Sequence, residues 1–226
     1  MTNQTINLAC TAGSRPTKNQ IWPIVKAMAD SGALDDVRDG WKLYAHFMPA
    51  VPKVPKTDFQ WVASAAGRRD VRYYLNYVYC DGKRIIGTDG ARLHIADNAD
   101  GLAPGYYCPK TANKVDVDAQ YPDVDRVIPK TNAGEQFTVS RDPLDTQAID
   151  GGKTPVWCLR EVKTPSTDKF GIEMGFKMVG QWTRREYIEA ALAGHDEALA
   201  VSADAMSAIR MDMPDGRMAI VMPVRL

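Results

Sequence analysis

The order of hydrophobic and polar positions predicts the same structural unit twice along the chain. The first unit starts with a β-prone run at Trp41–Phe47, and after a proline-rich loop a helix begins behind Thr57. Thr57 and Gln60 have the spacing of a capping box, in which each side chain bonds the backbone of the other residue. Gly67 suits the helix end. The predicted buried face of this helix consists of Phe59, Val62, Ala63 and Ala66.

Turn-forming pairs divide the next run, from Val71 to Asp97, into three strands. Asp81-Gly82 and Asp89-Gly90 are pairs that favour tight hairpin turns between β-prone segments. The first unit is therefore predicted to be a strand, a helix and a three-stranded antiparallel meander.

The second unit repeats this order between Phe170 and Leu226. Phe170–Met178 is β-prone, Thr183 and Glu186 have capping-box spacing, and Gly194 suits the helix end. The predicted buried helix face consists of Tyr187, Ile188, Ala191 and Leu192. Three predicted strands follow, within Glu197–Ala203, Met206–Met213 and Arg217–Leu226, and "PDG" forms the last turn.

The last predicted strand permits two interpretations. Met218, Ile220, Met222 and Val224 would share one strand face, and Val221 would lie on the other. Pro223 cannot donate a ladder hydrogen bond, which predicts an edge strand. An edge with flexible methionines suits a peptide-binding groove, but the pattern alone favours ordinary core packing.

Composition and charge exclude several function classes. The 226 residues carry 28 Lys plus Arg and 28 Asp plus Glu, so the net charge of zero argues against a polybasic nucleic-acid binder. The four cysteines and three histidines have no metal-site spacing, and the alternating acids in "DVDAQYPDVD" lack the glycine and glutamate of a calcium loop. Nucleotide-binding and hydrolase motifs are missing from the sequence, so we expect no enzyme, cofactor or metal.

The sequence also gives an expectation about its compartment. It has no basic region followed by an apolar stretch near residue 1, and no apolar run of membrane-spanning length. We therefore expect a cytoplasmic protein that does not associate with membranes.

Five short stretches within Thr57–Leu226 form a further pattern. They are "DVRYYLN" (Asp70–Asn76), "TDGARL" (Thr88–Leu93), "YPDVDRVIPK" (Tyr121–Lys130), "IEMGFK" (Ile172–Lys177) and "VMPVRL" (Val221–Leu226). Taken in this order, they resemble the bacterial β sliding clamp family, the processivity subunit of the replicative polymerase. The family usually has a histidine where this chain has Ala91.

The resemblance implies an α+β DNA-clamp fold with duplicated strand–helix–three-strand units, antiparallel sheets and two main helices. We divide the chain into an N-terminal extension of unknown role (1–40), a first clamp-like half (41–128) and a second clamp-like half with a long linker (129–226). The chain is too short for the three domains of the family's subunit. A shortened clamp suggests a phage or mobile-element origin.

In the family, these stretches line the groove that takes the linear clamp-binding motif of polymerases and repair proteins. Matching positions here form one wall, a bridging segment and a closing edge. The implied groove residues are Leu75, Thr88, Gly90, Arg92, Leu93, Pro122, Arg126, Val127, Ile220, Met222, Pro223, Val224, Arg225 and Leu226.

The resemblance also implies contact with double-stranded DNA through the loop that holds the tyrosine pair. Arg68, Arg69 and Arg72 would contact phosphates, and Tyr73 or Tyr74 would stack on a base or pack on a sugar. A helix end with solvated arginines explains the same residues equally well.

Two functions remain open from the sequence. The first is a homo-oligomeric processivity factor that encircles DNA and docks the linear motif of a polymerase. The second is a non-ring clamp mimic that keeps the groove and sequesters clamp-binding proteins. A closed oligomer in solution would favour the first and a monomer the second.

Overall fold

The computed structural model describes residues 27, 30–32, 57–167 and 173–226, and the side chains of all of these except 164–167 and 173–176. The described elements belong to the unit that spans Pro52–Leu226. Among the residues described, no helix is long and apolar enough to span a membrane. The strand predicted at Trp41–Phe47 and the elements predicted within residues 1–40 lie outside the described residues.

The first predicted unit is present from its helix onward. Helix α1 (Asp58–Ala63) begins where predicted, because the Thr57 hydroxyl accepts a hydrogen bond from the backbone N–H of Gln60 at 3.2 Å. The meander has the predicted turns. Its strands are β1 (Val78–Cys80), β2 (Arg84–Thr88) and β3 (Arg92–Asp97).

The remaining described elements complete the second unit and the stretch between the units. The latter contributes β4 (Gly105–Tyr107), β5 (Lys114–Val115), β6 (Glu135–Ser140), β7 (Asp145–Ile149) and β8 (Thr154–Thr167). The second unit comprises β9 (Glu173–Arg184), α2 (Arg185–Ala191), β10 (Glu197–Ser202), β11 (Ile209–Asp212) and β12 (Met218–Val221).

The two meanders form the centre of one nine-stranded sheet. Its order is β5-β4-β1-β2-β3-β12-β11-β10-β6, and all neighbouring pairs are antiparallel. The order from β4 to β3 is thus mirrored from β6 to β12. This arrangement is the one expected of two similar units that meet at their third strands.

Both helices pack on the same face of this sheet. The Trp61 indole N–H donates to the Ala191 carbonyl at 3.1 Å, which joins α1 directly to α2. Gly87 lets α1 approach β2 closely, since a Cβ there would lie 2.4 Å from the Val62 carbonyl oxygen. The two predicted helix faces therefore meet in one core.

A second, smaller core lies on the opposite face of the sheet. Successive strand residues point to opposite faces, so Leu93 and Ile220 enter this second core while Val221 joins the helix core. The second core is rich in tyrosine, and Tyr79 stacks on Tyr121 with ring centroids 4.7 Å apart.

A separate three-stranded sheet, β7-β8-β9, contains a long two-stranded ribbon. Arg160 ties this ribbon to β10, because its guanidinium donates to the Gln181 side-chain oxygen and to the Ser202 carbonyl, each at 2.9 Å. The length of the ribbon depends on pairing between residues that are distant in sequence, such as Val156 and Arg184.

Three local predictions were wrong. Thr183 does not cap α2, because it is buried within β9 and pairs with Trp157, and the N-cap residue is Arg184 with no side-chain cap. The last strand is not an edge strand, because β12 ends before Pro223 and pairs on both sides. Tyr73–Asn76 is a 3-10 turn and not part of the meander.

His94 is the polar group most deeply placed between α1 and the sheet. Its ring stacks on Trp61 at 4.2 Å, and its Nδ1 lies 3.0 Å from the Trp61 carbonyl oxygen, which identifies Nδ1–H as the donor. Its Nε2 has no hydrogen-bond partner among the described residues. Burial lowers the pKa of His94 from 6.5 to about 3, despite the opposing effect of the bond to Trp61.

We predict that this histidine makes stability fall in mild acid. Below pH 6.5 the unfolded chain protonates His94 and the folded chain does not until about pH 3, so the unfolded state binds more protons. The free energy of unfolding should drop by up to about 1.4 kcal/mol per pH unit between about pH 6 and pH 4.5. Urea unfolding of the wild type and of His94→Phe measures this slope. Equal slopes in the two proteins would contradict the prediction.

Candidate functional site

A groove opens on the face of the sheet opposite the helices, beside the junction of β3 and β12. Its cavity has a volume of about 220 Å³. The apolar lining consists of Leu75, Ala91, Leu93, Pro122, Val124, Val127, Ile220 and Met222. The remaining lining residues are Arg72, Thr88, Gly90, Arg92 and Asp123. The site is thus an apolar slot with charged groups in its lining.

Arg72 is held at the groove by a specific set of bonds. Its Nε and Nη2 donate to the two Asp70 carboxylate oxygens at 3.0 and 2.8 Å, and Nη2 also donates to the Asp89 carbonyl at 3.1 Å. The bonded guanidinium lowers the pKa of Asp70 to about 2. Gly90, with φ of +90°, leaves room for this side chain, since a Cβ there would lie 2.7 Å from Nη2.

The turn between β2 and β3 forms the wall below Arg72. The Asp89 carboxylate accepts the backbone N–H groups of Ala91 and Arg92 and the Arg92 Nε at 2.9–3.0 Å. The Thr88 hydroxyl donates to the Arg92 carbonyl at 2.6 Å. These bonds fix the wall before any ligand arrives.

The opposite wall is the bridging segment, Tyr121–Lys130. Tyr121 and Val124 are buried in the second core. The Asp123 carboxylate accepts the Asp125 backbone N–H at 3.2 Å and starts a 3-10 turn (Val124–Val127). Val127 projects from this turn and is 57% exposed at the groove.

The residues after β12 run along the groove without closing it. The Met222 N–H donates to the Ala91 carbonyl at 2.9 Å, and the Val224 N–H donates to the Trp182 carbonyl at 2.7 Å. Met222 lines the cavity and is 44% exposed. Leu226 is 57% exposed and is outside the described lining.

A second concave surface lies at the end of α1 and is bordered by cations. Gly67 donates its N–H to the carbonyls of Leu75 and Thr88, and Asn76 forms two hydrogen bonds with the Asp70 backbone. These bonds brace the loop that carries Arg68 and Arg69, both exposed. We call this surface the basic cleft; its lining is Gln60, Ala63, Ser64, Ala66, Gly67, Arg68, Arg69, Asn76, Tyr77, Cys108, Pro109 and Lys110.

The basic cleft has the chemistry of an anion-binding surface. None of its described lining residues is acidic. Arg69 adopts a φ of +60°, a conformation that side-chain-bearing residues seldom take. Hydrogen bonds from the side chain of Thr111 and the backbone of Lys110 and Thr111 lower the pKa of the Cys108 thiol.

The structure is similar to solved bacterial sliding clamps. A DNA polymerase sliding clamp from Pseudomonas aeruginosa matches with a TM-score of 0.54 and 16% identity, over 80% of this chain and 70% of that chain. The chain has the sliding-clamp fold. A DnaN sliding clamp from Bartonella birtlesii, in complex with griselimycin, matches with a TM-score of 0.52 and 19% identity over 74% of this chain and 63% of the other.

A third clamp-fold structure gives the same result. The DNA polymerase III β subunit from Thermotoga maritima has a TM-score of 0.51 and 19% identity over 80% of this chain and 69% of the other. No protein-family model and no curated protein sequence matches the chain. The similarity to the three solved clamp structures confirms the predicted α+β clamp fold.

The clamp fold brings most of the predicted groove residues together. Nine of the fourteen line one cavity, namely Leu75, Thr88, Gly90, Arg92, Leu93, Pro122, Val127, Ile220 and Met222. The other five are not among the described lining residues: Arg126, Pro223, Val224, Arg225 and Leu226. Sequence analysis missed four lining residues, Arg72, Ala91, Asp123 and Val124, although all lie inside the stretches that resemble clamps.

The predicted DNA-binding residues divide between two surfaces. Arg68 and Arg69 line the basic cleft, whereas Arg72 lines the groove. The Tyr73 hydroxyl donates to the Asp118 carbonyl at 2.7 Å, and Tyr74 packs against the second core. Lys110 is a cleft residue that the sequence did not reveal, because only the fold brings its turn beside α1.

The two surfaces differ in the side chains that line them. Within the described ranges, no group of three or more His, Cys, Asp or Glu side chains could hold a metal ion. The groove offers apolar contacts and fixed donors, and the cleft offers cations. Both arrangements suit binding.

Proposed function

We propose that the chain is a clamp-like binding protein without catalytic activity, whose groove takes the linear motif of DNA polymerases and repair proteins. The observation that carries this proposal is the largely apolar cavity formed where the two halves of the clamp fold meet. Its walls come from the β2–β3 turn, the bridging segment and β12. An extended peptide with apolar anchors fits a slot of this kind.

Exposed apolar surface at the groove supports this ligand class. Val127 and Met222 are large apolar side chains that lie half in solvent although they border a cavity. Covering them and burying one leucine- or phenylalanine-sized anchor contributes roughly 1.5–3 kcal/mol. Two such anchors contribute roughly 3–6 kcal/mol, so an affinity of about 1 μM (about 8 kcal/mol) also requires backbone and polar contacts along the peptide.

We further propose that the basic cleft contacts the phosphates of double-stranded DNA. Positive and negative charges balance over the whole chain, yet the cleft combines Arg68, Arg69 and Lys110 with no acidic residue among its described lining residues. A local cation cluster of this kind suits non-specific phosphate contacts. In this proposal a cytoplasmic homo-oligomer encircles DNA and docks a polymerase through the groove.

A non-ring clamp mimic remains a second candidate function. The observation that favours it is that one copy of the chain supplies every described lining residue of the groove, so peptide binding does not require a ring. Such a protein would sequester clamp-binding partners. The mass of the protein in solution distinguishes the two, because a ring requires a stable closed oligomer.

We predict that a charge at the mouth of the groove weakens peptide binding. Val127→Asp places a carboxylate against the apolar anchors at an exposed position, and should weaken binding of a clamp-binding peptide at least about tenfold, which is about 1.4 kcal/mol. Calorimetry measures the affinity. Leu144→Asp is the matched control, because Leu144 is 69% exposed and outside the described lining. Equal affinities of the two variants would refute the groove assignment.

Removal of Arg225 and Leu226 tests the closing edge. Sequence resemblance places both residues in the groove, whereas the structure leaves both exposed and outside the described lining. We expect the shortened protein to keep its thermal stability and to bind the same peptide within about threefold of the wild-type affinity, a difference below about 1 kcal/mol. Loss of peptide binding in the shortened protein would contradict this expectation and show that Arg225 and Leu226 contribute to the binding groove.

We predict that the cleft cations determine the salt dependence of DNA binding. Each phosphate that the protein no longer neutralises should reduce the steepness of log affinity against log salt by about 0.9 for duplex DNA. Fluorescence anisotropy with a short duplex compares the wild type with a protein in which Arg68, Arg69 and Lys110 are replaced by alanine. Lys153→Ala is the control, because Lys153 is exposed and outside the cleft lining. An unchanged slope in the triple variant would assign these cations to solvated surface.

A further inference from the structure

The bridging segment is attached to the sheet by an ion pair at its 3-10 turn. Arg84, on β2, donates from Nη1 and Nη2 to the two carboxylate oxygens of Asp125 at 2.7 and 3.2 Å. Arg84 is itself held by Asp81, whose carboxylate accepts its Nε at 3.0 Å and its backbone N–H at 2.7 Å. The paired charges lower the pKa of Asp125 and raise that of Arg84.

The other attachments of the segment are of a different kind. Tyr121 and Val124 are buried among apolar side chains. At the far end, Arg210 donates to the Pro129 carbonyl at 3.2 Å while its Nε bonds the Asp212 carboxylate. Asp125 is thus the residue of the 3-10 turn that carries a bidentate charged contact to the sheet.

This ion pair lies beside the groove without entering it. Val124 and Val127, on either side of Asp125 in the turn, line the cavity, whereas Arg84 and Asp125 are outside its described lining. The Arg84 and Asp125 side chains are 33% and 61% exposed, so dissolved ions reach them. A change in this pair therefore acts on a ligand only through the position of the wall.

We propose that Arg84 and Asp125 are positioning residues that hold the bridging segment at the spacing the peptide needs, and that they make peptide affinity sensitive to ionic strength. This inference rests on the proposed peptide-binding function of the groove. When salt screens the pair, the buried contacts keep the segment folded but its 3-10 turn loses one restraint. An apolar peptide then has to fix the wall as it binds, which lowers its affinity.

The test uses a clamp-binding peptide without charged residues and with both ends blocked, so that salt acts on the protein alone. Calorimetry compares the wild type with Asp125→Asn at salt concentrations from about 0.02 M to about 1 M, a range over which the screening length falls from about 20 Å to about 3 Å, the length of the contact itself. At the lowest salt, the variant should bind about two- to fivefold more weakly. At the highest salt the ratio of the two affinities should approach one.

Two further variants separate positioning from local damage. Arg84→Gln should weaken binding at least as much as Asp125→Asn, because it also removes the side-chain contact with Asp81. The double variant should bind no more weakly than Arg84→Gln, because Asp125 has already lost its partner in that protein. Asp100→Asn is the control, since Asp100 is exposed and outside the groove lining. Thermal unfolding temperatures should stay equal among these proteins.

Each outcome has a definite meaning. If the wild type fails to bind the peptide at every salt concentration, the proposed function of the groove is wrong. If the wild type binds and Asp125→Asn binds equally well at low salt, the positioning role is wrong while the groove stands. A deficit that does not change with salt, or additive losses in the double variant, also overturns the positioning role.

Discussion

Four residue pairs, from Arg92 with Val221 to Ile95 with Met218, join β3 to β12 and thereby join the two halves of the fold. Each half alone would leave its third strand with an unpaired edge. The pairing also divides side chains between the two faces of the sheet, because the strand period is two. Val221 faces the helices and Ile220 faces the groove. The core and the candidate binding site therefore depend on the same hydrogen-bond ladder.

The two sides of this ladder serve different purposes. On the helix side, α1 and α2 close the core through the bond from Trp61 to the Ala191 carbonyl. On the other side the bridging segment and the 3-10 turn at Tyr73–Asn76 pack on the sheet, and the cavity remains between the bridging segment and the β2–β3 turn. One wall of the groove is the β2–β3 turn, which internal hydrogen bonds hold rigid. The other wall is the bridging segment, and in our proposal the exposed Arg84–Asp125 ion pair controls its distance from the first wall.

Local signals predicted much of the fold, and interactions between distant residues explain the errors. Tight turns such as Asp81-Gly82 and the apolar helix faces depend on neighbouring residues, and the structure confirms them. Thr183 has ideal spacing for a cap, but pairing of β9 with a distant strand buries it. Pro223 indicated an edge strand because it cannot donate a ladder hydrogen bond, but β12 ends before it and pairs with β3, which is distant in sequence. The contact of Asp125 with Arg84 and the place of Lys110 in the basic cleft likewise follow from tertiary structure alone.

The groove assignment requires that an apolar peptide enters the cavity at the junction of β3 and β12. A methyl-resolved NMR titration with a clamp-binding peptide observes this step at the residues concerned. The signals of Leu93, Val127 and Met222 should shift in a saturable manner, because these methyl groups line the cavity. The signals of Leu192 and Met211, buried in the helix core, should remain in place. Saturable binding that leaves the three groove signals unchanged would contradict the groove assignment.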